Sequence, residues 1–187
     1  MSNRKALLII DMQKGSFTPL TPRYDATGVV KRINLVADAF RFNSLPVFYI
    51  QHDGTASGEF VPNTSEWELL DELVVKEGDI FVDKYANNIF YNSALQAKLI
   101  QHSVKELIIS GCATDFCVES TIQAALTMDY DITVIENGHT TGERPHLTAL
   151  QVIEHYNWVW KNMIPTKGVL KVKPHTDILN ALSEKQN

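Results

Sequence analysis

Residues 106–128, ELIISGCATDFCVESTIQAALTM, pass from an apolar, β-branched run into helical spacing across a short polar interval. Glu106–Gly111 (ELIISG) reads as a buried strand, and Cys117–Met128 as a helix reached through Cys-Ala-Thr-Asp-Phe. The same alternation extends in both directions. Upstream, strands are expected at Lys5–Ile10 (KALLII), Pro46–Gln51 (PVFYIQ) and Asp79–Lys84 (DIFVDK); downstream they fall at Asp131–Ile135 (DITVI) and Val169–Val172. Between them lie helical patterns. Gly28–Asn43 carries apolar residues at Val29, Val30, Ile33, Val36, Ala37 and Phe40. Ser65–Leu73 (SEWELLDEL) starts with an N-cap candidate, and Ser93 caps a helix running to about His102. Pro145–Trp160 forms a long amphipathic helix with Pro near its first turn, and Thr176–Leu182 a terminal one.

Strands separated by helices require right-handed crossovers and a mostly parallel sheet. The expected fold is therefore α/β: a single three-layer αβα domain over residues 1–187 with a Rossmann-like, six-stranded, mostly parallel sheet. A length of 187 residues suits one such domain. Hydrophobic residues at 44% and charged residues at 21% are ordinary for a globular chain. The formal charge of −5 gives no bulk attraction for nucleic acid or anionic lipid, so neither is an expected partner. No stretch approaches the roughly 18 apolar residues of a membrane span. The apolar run Ala6–Ile10 is closed by Asp11, too short for a signal peptide, and the expected location is cytoplasmic. Two cysteines, Cys112 and Cys117, exclude a disulfide framework and a thiolate-rich zinc site.

In open α/β sheets ligands bind beyond the carboxyl ends of the strands. There the sequence places Asp11 after the first strand, Gln51-His52-Asp53 after the second, Lys84 at the end of the third, and Cys117 beyond the fourth. The fifth leads to Glu136, Asn137, Gly138 and His139. Each has an ordinary explanation: an acid after a strand caps a helix, a terminal lysine is solvated, and a cysteine in an apolar helix fills core. Their convergence on one rim points instead to a site. A helix N-terminus and a nearby lysine both lower a thiol pKa, so Cys117 is expected as a thiolate nucleophile. Asp11 is placed to take the thiol proton and return it to a leaving amine. Cys112, directly after the strand, is expected to be structural.

These segments resemble the isochorismatase-like cysteine hydrolases, a family that includes nicotinamidases, N-carbamoylsarcosine amidase and ureide- or streptothricin-hydrolysing enzymes. The resemblance spans almost the whole chain: LLIIDMQKGSF, VFYIQHDG, DKYANNIFYNSAL, SGCATDFCVESTIQAA, VIENGHTT and EHYNWVW, in order. The fourth is the most specific, with Gly-x-x-Thr-x-x-Cys-Val. The resemblance implies a catalytic triad of Asp11, Lys84 and Cys117. It also implies a non-proline cis peptide between Ala113 and Thr114, with the oxyanion hole formed there and at the Cys117 N–H. The activity implied is hydrolysis of a C–N bond in a small amide, ureide or carbamoyl substrate through a thioester. Asn88 and Asn137 depart from the small residue and the acid common in the family.

Nicotinamidases of the family hold a metal through Asp-x-His and a later His. Here Gln51-His52-Asp53 is followed by no His before His102, so no metal or other cofactor is expected. Candidate pocket residues are Phe17, His52, Trp67 and Asn88, with Phe90 better read as core. Tyr156, Trp158 and Trp160 supply aromatic area for a second subunit or for the core of one chain, and the family often forms homodimers or tetramers. Two other readings remain: vinyl-ether hydrolysis of the isochorismatase type, in members that generally lack the cysteine, and a non-catalytic binding or redox-sensing thiol protein.

Overall fold

Residues Ala6 to Ile10 are buried without exception, which a strand achieves only when both faces of its sheet are covered. Ala6, Leu8 and Ile10 enter one core cluster; Leu7 and Ile9 enter the other. The computed structural model describes residues 4–184. Six strands form one parallel sheet: β1 (Arg4–Ile10), β2 (Val47–His52), β3 (Ile80–Lys84), β4 (Val104–Cys112), β5 (Asp131–Thr140) and β6 (Leu170–Lys173). Their order is β3-β2-β1-β4-β5-β6. Helices α1 (Ala26–Phe42) and α5 (His175–Ser183) cover one face, while α2 (Leu95–Gln101), α3 (Glu119–Thr127) and α4 (Ala149–Asn162) contribute to the cluster on the other. This is the three-layer α/β architecture expected. Among the described residues, no helix is long and apolar enough to cross a membrane.

Four local expectations are corrected. Ser65–Leu73 is not a helix. Its backbone pairs instead with the loop after β1: Lys14 N–H bonds the Glu68 carbonyl, Gly15 N–H that of Glu66, and Leu70 N–H that of Met12, at 2.8, 2.9 and 3.0 Å. Cross-chain partners outweigh a short segment's helical preference. The helix expected from Cys117 begins earlier, as a π-helical turn over Thr114–Val118 that continues into α3. Strand β5 runs five residues past Ile135, because Gly111 and Cys112 on β4 pair with His139 and Thr140 after a register shift. Finally, Pro145 lies outside α4. Thr148 caps that helix in a capping box, with Gln151 N–H donating to Thr148 Oγ1 at 3.2 Å and Thr148 N–H to Gln151 Oε1 at 2.9 Å. On α4, Trp160 is fully buried and Trp158 exposed.

The strand order reverses between β1 and β4, and there a crevice opens beyond the strand ends. Gly111 sits at that junction with φ 122°, and a Cβ there would lie 2.1 Å from the Ile10 carbonyl oxygen. Gly111→Ala should therefore cost more than about 2 kcal/mol, a clash added to an unfavourable backbone. Gly58→Ala, also at positive φ but facing open space, should cost only about 1 kcal/mol. Urea denaturation of the two variants checks the difference.

Candidate active site

Asp11 ends β1 in a left-handed conformation, φ 49°, with its N–H bonded to the Ile50 carbonyl at 2.9 Å. Asp tolerates that region better than most residues. Lys84 ends β3, two strands away, so its stem must cross β2 over roughly two interstrand spacings of ~4.8 Å. It does so buried, at 1% exposure. Its Nζ lies 2.8 Å from Asp11 Oδ2, 3.3 Å from Cys117 Sγ and 3.1 Å from the Ala86 carbonyl. An ammonium has three N–H donors, and these acceptors account for all of them. Cys117 Sγ also lies 3.5 Å from Asn87 Oδ1. The three side chains named from the sequence thus meet on one rim.

The second carboxylate oxygen, Asp11 Oδ1, is buried and has no hydrogen-bond partner among the described residues. Such an atom is costly to bury unless something else is to be received there. The charge balance differs from the sequence expectation. Burial pushes the Cys117 thiol above its ordinary pKa, and the adjacent Asp11 carboxylate does the same, while Lys84 offsets them only in part. These influences favour the protonated thiol over a standing thiolate beside the Lys84–Asp11 ion pair. Burial works against the Lys84 charge, and the facing Asp11 carboxylate leads the contacts that hold the ammonium above its usual pKa. Burial pushes the Cys112 thiol up to about 12, in keeping with a structural residue.

The wall around these groups is tied together by the side-chain amides of Gln13 and Gln51. Gln13, fully buried, donates to the carbonyls of His52 (3.1 Å) and Trp67 (3.0 Å) and accepts from His52 N–H at 2.7 Å. Gln51 donates to the same Trp67 carbonyl at 3.0 Å. The loop after β1, the end of β2 and the 64–73 strap are thereby tied together. Desolvation, followed by the Lys84 charge, lowers the His52 pKa and leaves a neutral imidazole at the pocket edge. Beyond β4, Asp115 takes a bidentate contact from Arg144 at 2.7 and 2.8 Å and a bond from Thr141 Oγ1 at 2.7 Å. Arg144 also lies over the Phe116 ring, 5.0 Å from its centroid. The π turn that carries Cys117 is so anchored to the loop after β5.

A cavity of about 210 Å³ opens over the three side chains, bounded also by Arg23, His52, Phe60, Asn87 and Phe116. Of the pocket candidates, only His52 lines it. Trp67 lies behind, contributing its carbonyl to Gln13 and Gln51. Asn88 turns its Oδ1 to the Phe90 N–H at 2.9 Å, and Phe17 borders a separate cavity beside α1. The preceding residue, Asn87, takes the position expected of Asn88, because the turn after β3 directs Asn88 into its own loop. Phe90 is core, stacked on Tyr130. Arg23 and Phe60 come from loops whose sequence carries no periodic signal.

The cis peptide is also corrected. It joins Cys112 to Ala113, one residue earlier than expected. The Ala113 carbonyl accepts from the N–H groups of Phe116 and Val118 at 3.1 Å each and so opens the π turn that follows it. Thr114 is buried one residue on, with Oγ1 2.9 Å from His139 Nδ1; His139 Nε2 is 3.1 Å from Asn157 Oδ1. Since Asn157 gives its amide N–H to the Glu136 carbonyl at 3.0 Å, its oxygen accepts and His139 carries the proton on Nε2. No group of three or more His, Cys, Asp or Glu side chains is placed to hold a metal among the described residues. At the cavity His52 offers one unpartnered imidazole nitrogen, and one imidazole does not fit a metal centre.

Fold and site together define a Rossmann-like α/β protein with a thiol, a carboxylate and an ammonium converging at the topological switch point. The isochorismatase domain profile matches residues 5–161, and the chain belongs to the isochorismatase family of hydrolases. It is 30% identical over 154 residues to the uncharacterized isochorismatase family protein YddQ of Bacillus subtilis (strain 168), covering 79% of this chain and 80% of that protein. It is 27% identical to the ureidoacrylate amidohydrolase RutB of Pseudomonas syringae pv. syringae (strain B728a), covering 82% of this chain and 79% of that one. Among solved structures, N-carbamoylsarcosine amidase from Thermoplasma acidophilum superposes with a TM-score of 0.73 at 23% identity, over 92% of this chain and 96% of that chain.

Two outcomes follow from the electrostatics. Asp11→Asn removes a negative neighbour, so the pH midpoint for iodoacetamide alkylation of Cys117 should fall by about one unit or more. A thiolate already formed in the native protein would instead show its alkylation midpoint below neutral pH before any substitution. Burial lowers His139 from 6.5 to about 4, so between these values the unfolded chain binds a proton that the folded chain refuses. Stability should thus fall by about 3 kcal/mol as pH drops through that window. Denaturation against pH should show a shallower slope in His139→Gln than in the unaltered protein.

Proposed function

We propose that this isochorismatase-family hydrolase cleaves the C–N bond of a small amide, ureide or carbamoyl compound, with Cys117 as nucleophile. The observation that carries this reading is Asp11 Oδ1, a buried acceptor left free in the cluster where Lys84 holds the other carboxylate oxygen and Cys117 Sγ. As Sγ attacks the substrate carbonyl carbon, Asp11 takes the thiol proton. Lys84 then faces a sulfur carrying charge into the new C–S bond and a neutral carboxyl. The negative charge developing on the carbonyl oxygen is received by backbone N–H groups of the turn from Ala113 through Thr114 to Cys117. Asp11 next hands its proton to the leaving nitrogen, the C–N bond breaks, and a thioester remains. Water, losing a proton to Asp11, attacks the thioester; the acid departs and the proton returns to sulfur.

The relatives support the C–N assignment, since one is a ureidoacrylate amidohydrolase and a structural neighbour is a carbamoylsarcosine amidase. The half-buried, cavity-facing thiol supports acyl chemistry over vinyl-ether hydrolysis, which needs only a proton donor. A panel of small amides and ureides, assayed for ammonia or amine release, tests the reading. Cys117→Ala should lose at least ~10⁴-fold in turnover. Mass spectrometry of acid-quenched turnover should find an acyl adduct on Cys117 in the unaltered protein and none in the variant. Turnover that survives in Cys117→Ala would remove the nucleophile from the mechanism.

A further inference from the structure

Resting on the hydrolase reading above, we infer that the substrate carries a carboxylate and that Arg23 receives it. Arg23 bounds the same cavity as Cys117. Its Nε donates to the Ser16 carbonyl at 2.7 Å. No acid pairs with it among the described residues, whereas Lys84 is matched by Asp11 and Arg144 by Asp115. The two terminal nitrogens have no hydrogen-bond partner there either. A guanidinium with its Nε engaged and both terminal nitrogens free presents the end-on fork that matches a carboxylate.

The position is built, not incidental. Tyr24 N–H bonds the Thr141 carbonyl at 3.0 Å, and Thr140 Oγ1 donates to the Tyr24 carbonyl at 2.6 Å, so the segment bearing Arg23 is fixed to the end of β5. Gly142 makes room for the guanidinium: a Cβ there would lie 2.8 Å from an Arg23 terminal nitrogen. Charge points the same way. On a chain of formal charge −5, this cavity is bounded by two cations, Lys84 and Arg23, against a single acid, Asp11. With Asp11 committed to Lys84 and the thiol, the unspent positive charge is that of Arg23. A volume near 210 Å³ admits a small molecule with its acyl carbon at sulfur and its anionic end at the arginine.

The inference is tested with malonamate and malonamide, an amide with and without a carboxylate, bound calorimetrically to the Cys117→Ala protein. Malonamate should bind about tenfold more tightly, and Arg23→Gln should abolish that preference while Arg23→Lys keeps part of it. Equal affinities, or a preference that persists in Arg23→Gln, would overturn the anion site. In parallel, alkylation of Cys117 is compared for iodoacetate and iodoacetamide, with Lys84 present throughout. The iodoacetate-to-iodoacetamide rate ratio should drop about tenfold in Arg23→Gln, read against iodoacetamide as the internal reference. Loss of amide turnover or of thiol reactivity in the unaltered protein would defeat the hydrolase reading alone, because the calorimetric comparison does not use the thiol.

Discussion

A lysine ammonium sealed from water stays charged only if every N–H finds an acceptor, and at Lys84 that requirement governs the geometry of the rim. Its acceptors come from three places: the carboxylate after β1, the sulfur in the turn after β4, and the carbonyl of Ala86 in its own loop. Bringing them together needs β3 two strands from β1, close enough for one stem to cross β2, and β4 on the opposite side of β1. Removing one partner of such a buried ion pair leaves an uncompensated charge, at a cost of about 3–5 kcal/mol. The ties around it, Gln13 across the ends of β1 and β2 and Gly111 between β1 and β4, hold the strand ends to the spacing the lysine needs.

The same pair explains why the protonated thiol is favoured. A lysine alone beside Cys117 would draw the proton off. A lysine already paired with Asp11 presents a dipole instead, and with burial acting in the same direction the thiol keeps its proton. In the proposed reaction the charge moves from carboxylate to sulfur around a fixed ammonium. Lys84 faces one anion before the transfer and one after it, so little must be resolvated as the proton moves. A standing thiolate beside an ionised Asp11 would instead place two anions against one cation in a buried site.

Much of this was legible in the chain. The runs KALLII, PVFYIQ and ELIISG locate three strands to within three residues at each end, because strands covered on both faces are largely apolar. DIFVDK locates the edge strand β3, which buries Val82 and Lys84 and exposes Phe81 and Asp83. Asp11 and Lys84 follow as the reactive residues at the ends of β1 and β3, and Cys117 as the thiol in the turn beyond β4. Where reading failed, long-range contacts decided the outcome. SEWELLDEL has helical spacing, yet its backbone hydrogen bonds go to Lys14, Gly15 and Met12, tens of residues away. Cys117 lies within a π turn, not at a helix start, and no local propensity marks that difference. The thiol's protonation depended on how closely Asp11 approaches it, a distance that spacing along the chain does not encode.

The division between rim and loops also accounts for what the pocket candidates missed. Asp11 and Lys84 sit at strand ends, where register and burial leave them one place to go, and Cys117 sits in the π turn anchored through Asp115 and Arg144. The groups that line the rest of the cavity sit on connections: Arg23 between β1 and α1, Phe60 between β2 and β3, Asn87 beyond β3, Phe116 in the π turn. Loops of this kind can change without disturbing the sheet, so a common scaffold accepts different substrates. Arg23 nevertheless behaves like part of the scaffold, since its neighbour Tyr24 is bonded to the end of β5 and Gly142 leaves it space. A side chain held that firmly loses little freedom when it meets a ligand, which is the physical advantage of fixing a recognition group before the substrate arrives.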